Sequence, residues 1–276
     1  MFISTGVSLL GAQPSGGGLW TPADVTTTAW YDASDSSTVT VSGTDVTAWA
    51  DKSGNGYNAT QTGSENPTYA TALVNGLNSI EFGTLGSANR GYGFLDQQAL
   101  GSALCGVKYA IIGHHARYNG QTQNQVVGAV SGGSVGNSNA VLHLGYDNST
   151  RLRLGQFSND LDDTIPAYSS LQPVADNVIT GLNRAAGKLV SLNGGEYIAT
   201  NNNTTDLTVG GNSGFAIGRF SGNYYNFAGR INELVFFNFE VLDALYQKVE
   251  GYLAWKWGTE ASLPFSHPYK SAAPTT

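Results

Sequence analysis

The sequence predicts an all-β chain: an antiparallel two-sheet sandwich of the jelly-roll type, with one α-helix packed on it near the C-terminus. Three observations carry this. From Leu19 onward, short runs rich in β-branched and aromatic residues alternate with clusters of Gly, Asn, Ser and Asp. Polarity alternates with period two in Arg151-Leu152-Arg153-Leu154, the pattern of a strand with one face in a core. Helical spacing of apolar residues is confined to one strong segment, Asp243 to Trp257.

At 276 residues the chain is long enough to bury about three quarters of its unfolded surface in a single core. Residues 1–18 read as an arm: a short apolar run, Val7 to Leu10, then the glycine hinge Ser15 to Gly18. Residues 19–270 form the sandwich domain, and 271–276 a C-terminal tail. Within the domain, strands are expected at 107–117, 125–130, 140–146, 151–157, 215–220 and 230–238. Lys188 to Ala199 reads as a hairpin turning on Asn193-Gly194-Gly195, because Asn and Gly accept the positive φ of tight turns.

The helix is bounded by Asp243, a candidate N-cap, and Gly258, a C-terminal stop. Leu242, Leu245, Val249 and Leu253 define its inner face; Trp257 lies at the edge of that face and Trp255 points away. Pro264 and Pro268 bar a continuing helix, so the segment from Leu263 to Tyr269 is expected to run extended and to fold back over Trp255.

Composition excludes several functions. A formal charge of −7, with 13 Lys and Arg and no basic run, argues against a nucleic-acid partner. The lone Cys105 forms no internal disulfide and cannot by itself hold a structural zinc. The first residues lack a secretory pattern, and no stretch approaches the ~20 apolar residues of a membrane span.

Four blocks carry a resemblance: residues 49–59 (WADKSGNGYNA), 75–82 (NGLNSIEF), 229–238 (GRINELVFFN) and the closing GYLAWKWG with LPFSHPY. Together they resemble the concanavalin A-like (laminin-G-like) jelly-roll domains of bacteriophage virion and tail proteins, over roughly Leu19 to Tyr269. The resemblance implies a non-enzymatic structural protein of a tailed phage particle, a head decoration or a tail adhesin that binds host glycans. The alternative is a carbohydrate-active enzyme or a secreted sugar-binding module.

Catalytic patterns are mostly rejected. Glucanases of this fold class use Glu-x-Asp-x-Glu on one strand, and no glutamate here has an aspartate two residues later. Gly132-Gly133-Ser134-Val135-Gly136 matches a nucleophile elbow but leads into another strand where an elbow needs a helix. Gly54-Asn55-Gly56-Tyr57-Asn58-Ala59 matches a dinucleotide fingerprint but reads as a turn. His114 and His115 point to opposite faces of their strand and cannot chelate one ion; His143 and His267 read as ordinary strand and loop residues. The acidic loop at Asp160, Asp162 and Asp163 would be the place for calcium, without a full ligand pattern.

No catalytic, cofactor or metal residue is therefore assigned, and no cofactor is expected. Tyr224 and Tyr225, with Asn223, are the candidates for stacking on a sugar or for meeting a partner. Phe2, Ile3, Val7, Leu9 and Leu10 are the candidates for attaching the arm to other virion proteins of the capsid or tail. The expected state is a homo-oligomer, a trimer being favoured, synthesised in the host cytoplasm and displayed on the virion surface without membrane insertion.

Overall fold

The computed structural model describes residues 18–62, 66–83, 95–118, 124–130, 138–148, 151–164, 175–208, 214–220 and 226–276. The strands in chain order are β1 (Ala29–Asp32), β2 (Val39–Ser42), β3 (Asp45–Trp49), β4 (Ala59–Thr60), β5 (Thr68–Val74), β6 (Leu77–Glu81) and β7 (Leu95–Asp96). They continue with β8 (Tyr109–Arg117), β9 (Asn124–Val130), β10 (Val141–Asn148), β11 (Arg151–Gly155) and β12 (Leu161–Thr164). The last are β13 (Asp176–Arg184), β14 (Gly187–Leu192), β15 (Tyr197–Thr200), β16 (Gly214–Ile217) and β17 (Gly229–Phe237). A short helix, α1 (Gln98–Ala103), had no counterpart in the sequence reading; the C-terminal helix is α2 (Asp243–Trp257).

All named pairings are antiparallel. One sheet runs β15-β14-β13-β8-β17, with β1 and the end of β6 in tandem along the far edge of β17. The other runs β12-β11-β10-β9-β16-β7-β4-β3-β2. β5 pairs with β6 and touches β3, joining the two sheets at one side.

The all-β assignment therefore holds, and the packing explains the apolar runs. Alternate residues of β8 and β17 enter different cores: Tyr109, Ile111, Leu234 and Phe236 face the second sheet, whereas Ala110, Ile112, Val235 and Phe237 face the helix. A strand buried on both sides shows no polar alternation. β11 has only one buried face and keeps it, with Leu152 and Leu154 inside and Arg151 and Arg153 half-exposed.

Helix α2 matches its expected bounds, with Gly258 closing it at φ 74°. Three details differ. Leu242 is the N-cap, without a side-chain cap bond, and is 69% exposed; Asp243 is the first helical residue and pairs with Arg184. The buried face is wider than the leucine stripe and includes Tyr246, Glu250, Tyr252, Ala254 and Trp257. Trp257 is not at an edge: it is enclosed and stacks on His114, with centroids 5.5 Å apart.

The tail does fold back over Trp255, whose Nε1 donates to the Tyr269 carbonyl at 2.8 Å. Tyr269 lies where a side chain at Gly251 would stand, since a Cβ there would come within 2.5 Å of it. The segment is not extended, however. A 3-10 turn at Glu260–Ser262 is followed by tight turns closed by His267 N–Pro264 O (2.9 Å) and Lys270 N–His267 O (3.0 Å). Proline excludes the helix, but its fixed φ suits a turn, as at Pro268.

The two ends of the described chain meet. Leu19 bridges to Thr275, Trp20 N donates to the Pro274 carbonyl and Thr276 N to the Gly18 carbonyl, each at 3.0 Å. Residues 274–276 of the expected tail thus lie against the start of the sandwich domain. Trp20 seats edge-on against Tyr252 of α2.

Candidate functional site

Between β3 and β4 the chain turns on one carboxylate. Asp51 Oδ1 accepts from the backbone N–H groups of Trp30 (2.9 Å) and Ser53 (2.8 Å); Oδ2 accepts from Ser53 Oγ (2.7 Å) and Tyr57 N (3.1 Å). Gly54 and Gly56 take φ of 87° and 80°, which L side chains adopt only with strain. Asn55 Nδ2 donates to the carbonyls of Thr27 and Thr28 at 2.9 and 3.0 Å, tying the turn to the segment before β1. The glycine pattern therefore serves a turn, as expected, and not a phosphate cradle.

That tie borders a half-open pocket of about 280 Å³, lined among others by Thr26, Thr27, Trp30, Lys52, Ser53 and Asn55. Lys52 Nζ stands 4.4 Å from the Trp30 ring centre, close enough for a cation–π contact. It also pairs with Asp32 (3.0 Å) and Asp35 (2.8 Å), so the wall of the cavity carries little net charge.

Below Trp30 a charged group is sealed in. Glu233, on β17 and without solvent exposure, accepts from Trp30 Nε1 (2.7 Å) and Tyr252 Oη (2.9 Å) at Oε1. At Oε2 it accepts from Lys256 Nζ (2.7 Å) and Trp257 Nε1 (2.8 Å). Lys256 also reaches Asp32 at 2.7 Å and so bridges the two carboxylates. Burial raises the Glu233 pKa, with Lys256 opposing. Burial pushes Asp32 the same way, but Lys256, Ser34 and Lys52 outweigh it and hold the carboxyl below its usual range. Asp35, hydrogen-bonded by Lys52 and Ser37, falls to about 2.

Two carboxyls pushed apart in pKa are the usual sign of acid–base chemistry. Here each Glu233 oxygen already accepts two hydrogen bonds and the residue is enclosed, which leaves no lone pair aimed at a substrate. The arrangement braces α2 against β1 and β17.

The predicted contact residues Asn223, Tyr224 and Tyr225 lie outside the described residues, as do Phe2, Ile3, Val7, Leu9 and Leu10 and the Gly132–Gly136 loop. His114 and His115 face opposite sides as expected: His114 packs on Trp257, whereas His115 Nε2 lies 2.5 Å from Tyr146 Oη. Burial lowers both, His115 to about 3 with His114 adding to the effect. Asp162 is gripped by Arg153 through Nε (2.5 Å) and Nη2 (2.7 Å), while Asp160 accepts from Gln156 N at 2.7 Å. No group of three or more His, Cys, Asp or Glu among the described residues could hold a metal.

Sequence reasoning passed over Trp30, Asp32, Lys52, Glu233 and Lys256 as a set. Their one local signal is a glutamate inside the apolar strand GRINELVFF and a lysine between two tryptophans.

No family model and no curated protein matches the chain. Solved structures do. Domain 4 of AbnA, a GH43 extracellular arabinanase from Geobacillus stearothermophilus, in complex with arabinotriose, aligns with TM-score 0.53 at 19% identity over 76% of this chain and 91% of that one. A mutant Trypanosoma rangeli sialidase displaying trans-sialidase activity aligns at 0.53 and 11% identity, covering 84% and 33%. A structure described as a receptor binding domain aligns at 0.51 and 14%, covering 83% and 51%. The chain thus spans only a third and about half of the latter two. At these identities the likeness concerns the β-sandwich fold.

Proposed function

We propose that this chain is a non-catalytic surface module of a tailed-phage virion, a head decoration or tail adhesin, that recognises a neutral glycan in the cavity beside Trp30. The carrying observation is that half-open pocket: about 280 Å³, with the largely buried Trp30, hydroxyls and an amide in its lining and its cation neutralised by Asp32 and Asp35. Sugars present an apolar ring face and a rim of hydroxyls, which this lining matches. The fold shared with an arabinanase domain in complex with arabinotriose supports the glycan reading. The four sequence blocks support the virion reading, with the arm at residues 1–18 as the attachment to capsid or tail proteins and a trimer as the favoured assembly.

The test is a glycan array followed by calorimetry on the best neutral oligosaccharide, with reducing-end release measured in parallel. Binding without release, weakened at least tenfold in Lys52→Ala/Asn55→Ala with the fold intact by circular dichroism, is expected. Release of reducing ends, or binding unchanged in that variant, refutes the site. Immunogold labelling of intact particles, with full-length protein and with residues 1–18 deleted, tests the location separately.

A further inference from the structure

At the end of the sandwich formed by the start of β8, the end of β13 and the start of β14, three polar side chains enter the core. In register, Asn183 lies opposite both Tyr109 and Lys188. By strand alternation Asn183 shares the inward face of Ile179, and Lys188 that of Val190, both members of the core between the sheets. Gln156 reaches the same row from the second sheet, its Nε2 donating to Tyr109 Oη at 2.9 Å. Lys188, Asn183 and Gln156 are each fully enclosed, at 0% exposure.

Their hydrogen bonding is incomplete in a complementary way. The Lys188 ammonium has three donors, and among the described residues its one hydrogen bond is a long contact of 3.5 Å to the Asn203 carbonyl. Asn183 Nδ2 donates to Asp206 Oδ1 at 3.2 Å, which fixes the amide orientation because a flip would set two oxygens against each other. Its Oδ1 is then buried without a partner among the described residues, as is Gln156 Oε1. Each such orphan costs about 1–3 kcal/mol if left alone.

We infer that this end of the core holds a bound water molecule, accepting from Lys188 Nζ and donating to Asn183 Oδ1, with the free amide atom of Gln156 as a further contact. The charges select the ligand. An anion would face two amide oxygens with Asp206 and Asp160 nearby; a cation would face Lys188 with Lys108 nearby. A neutral molecule that both donates and accepts satisfies every open group, and a single water is the smallest that does so.

A crystal structure at about 1.5 Å tests this. The expected result is an ordered water within about 2.6–3.2 Å of both Lys188 Nζ and Asn183 Oδ1. Direct contact of Nζ with Asn183 Oδ1, or no density between them, overturns the inference. A second measurement on the wild-type protein is the transfer of magnetisation from a long-lived water to the Asn183 side-chain amide; its absence also overturns it. In Lys188→Met the same water is expected to be lost or displaced, and its persistence in place would show that the lysine does not hold it.

Discussion

Replacing Lys256 by Met tests the sealed charge group most directly. Its ammonium lies 2.7 Å from both Glu233 Oε2 and Asp32 Oδ1. Asp32 keeps Lys52 at 3.0 Å, so the cost falls on Glu233, which has no solvent and no other cation within hydrogen-bond reach among the described residues. Breaking a buried pair from one side typically costs about 3–5 kcal/mol. The three remaining donors, Trp30, Tyr252 and Trp257, temper this, and we expect a loss of about 3 kcal/mol at pH 7 in urea denaturation followed by tryptophan fluorescence. Glu233 already has a raised pKa, and losing the cation raises it further. A carboxyl raised in the folded state contributes stability that is present below its unfolded pKa and lost as pH rises through the folded one. The deficit of Lys256→Met should accordingly be smaller at pH 4 than at pH 7. Combining it with Glu233→Gln should give a coupling energy of at least about 2 kcal/mol in a double-mutant cycle. A loss below about 1 kcal/mol that does not vary with pH would refute the claim that this lysine compensates a buried charge.

Three further outcomes follow from the packing. Truncation after Gly258 should lower the melting temperature clearly, because the buried Leu263, worth about 1.5–3 kcal/mol, and the half-buried Tyr269 leave α2; equal melting would refute the tail's role. Gly155→Ala should destabilise by roughly 1–3 kcal/mol or more, since its Cβ would fall 1.7 Å from His143 Nε2; unchanged denaturation would show that the imidazole moves freely. Burial, with Lys108 adding repulsion against Asp160 and Asp206, lowers Lys188 to about 8. The unfolded chain then binds the extra proton between pH 8 and about 10.5, so the stability of wild type relative to Lys188→Met should rise across that window. A flat difference would contradict it.

What the sequence disclosed was local. The span of α2 and its Gly258 stop, the Arg151–Leu154 alternation and the Asn193 hairpin turn all depend on neighbours a few residues apart, and the structure has each of them where the sequence predicts it. The tail was read halfway: proline rules out helix, but extended chain and tight turns satisfy it equally. The Asp51 turn was visible through its glycines, whereas its hydrogen bonds to the segment before β1 were not. Glu233 and Lys256 meet Trp30 and Asp32 from about two hundred residues away, and no periodicity encodes that meeting. Leu242 shows the opposite error, an apolar residue at the right spacing that sits one position before the helix and faces out.

The pairing of Gly18–Trp20 with Pro274–Thr276 makes this sandwich a cassette with a single doorway. Because the chain enters and leaves on adjacent extended segments, a linker of a few residues from Thr276 to Gly18 would close it into a ring without straining either sheet. The ring could then be opened elsewhere, and the β2–β3 turn at Gly43, with φ 66° and open space around it, is the natural cut. The same geometry lets the whole unit be spliced into an exposed loop of another protein while adding almost no separation between that loop's two ends.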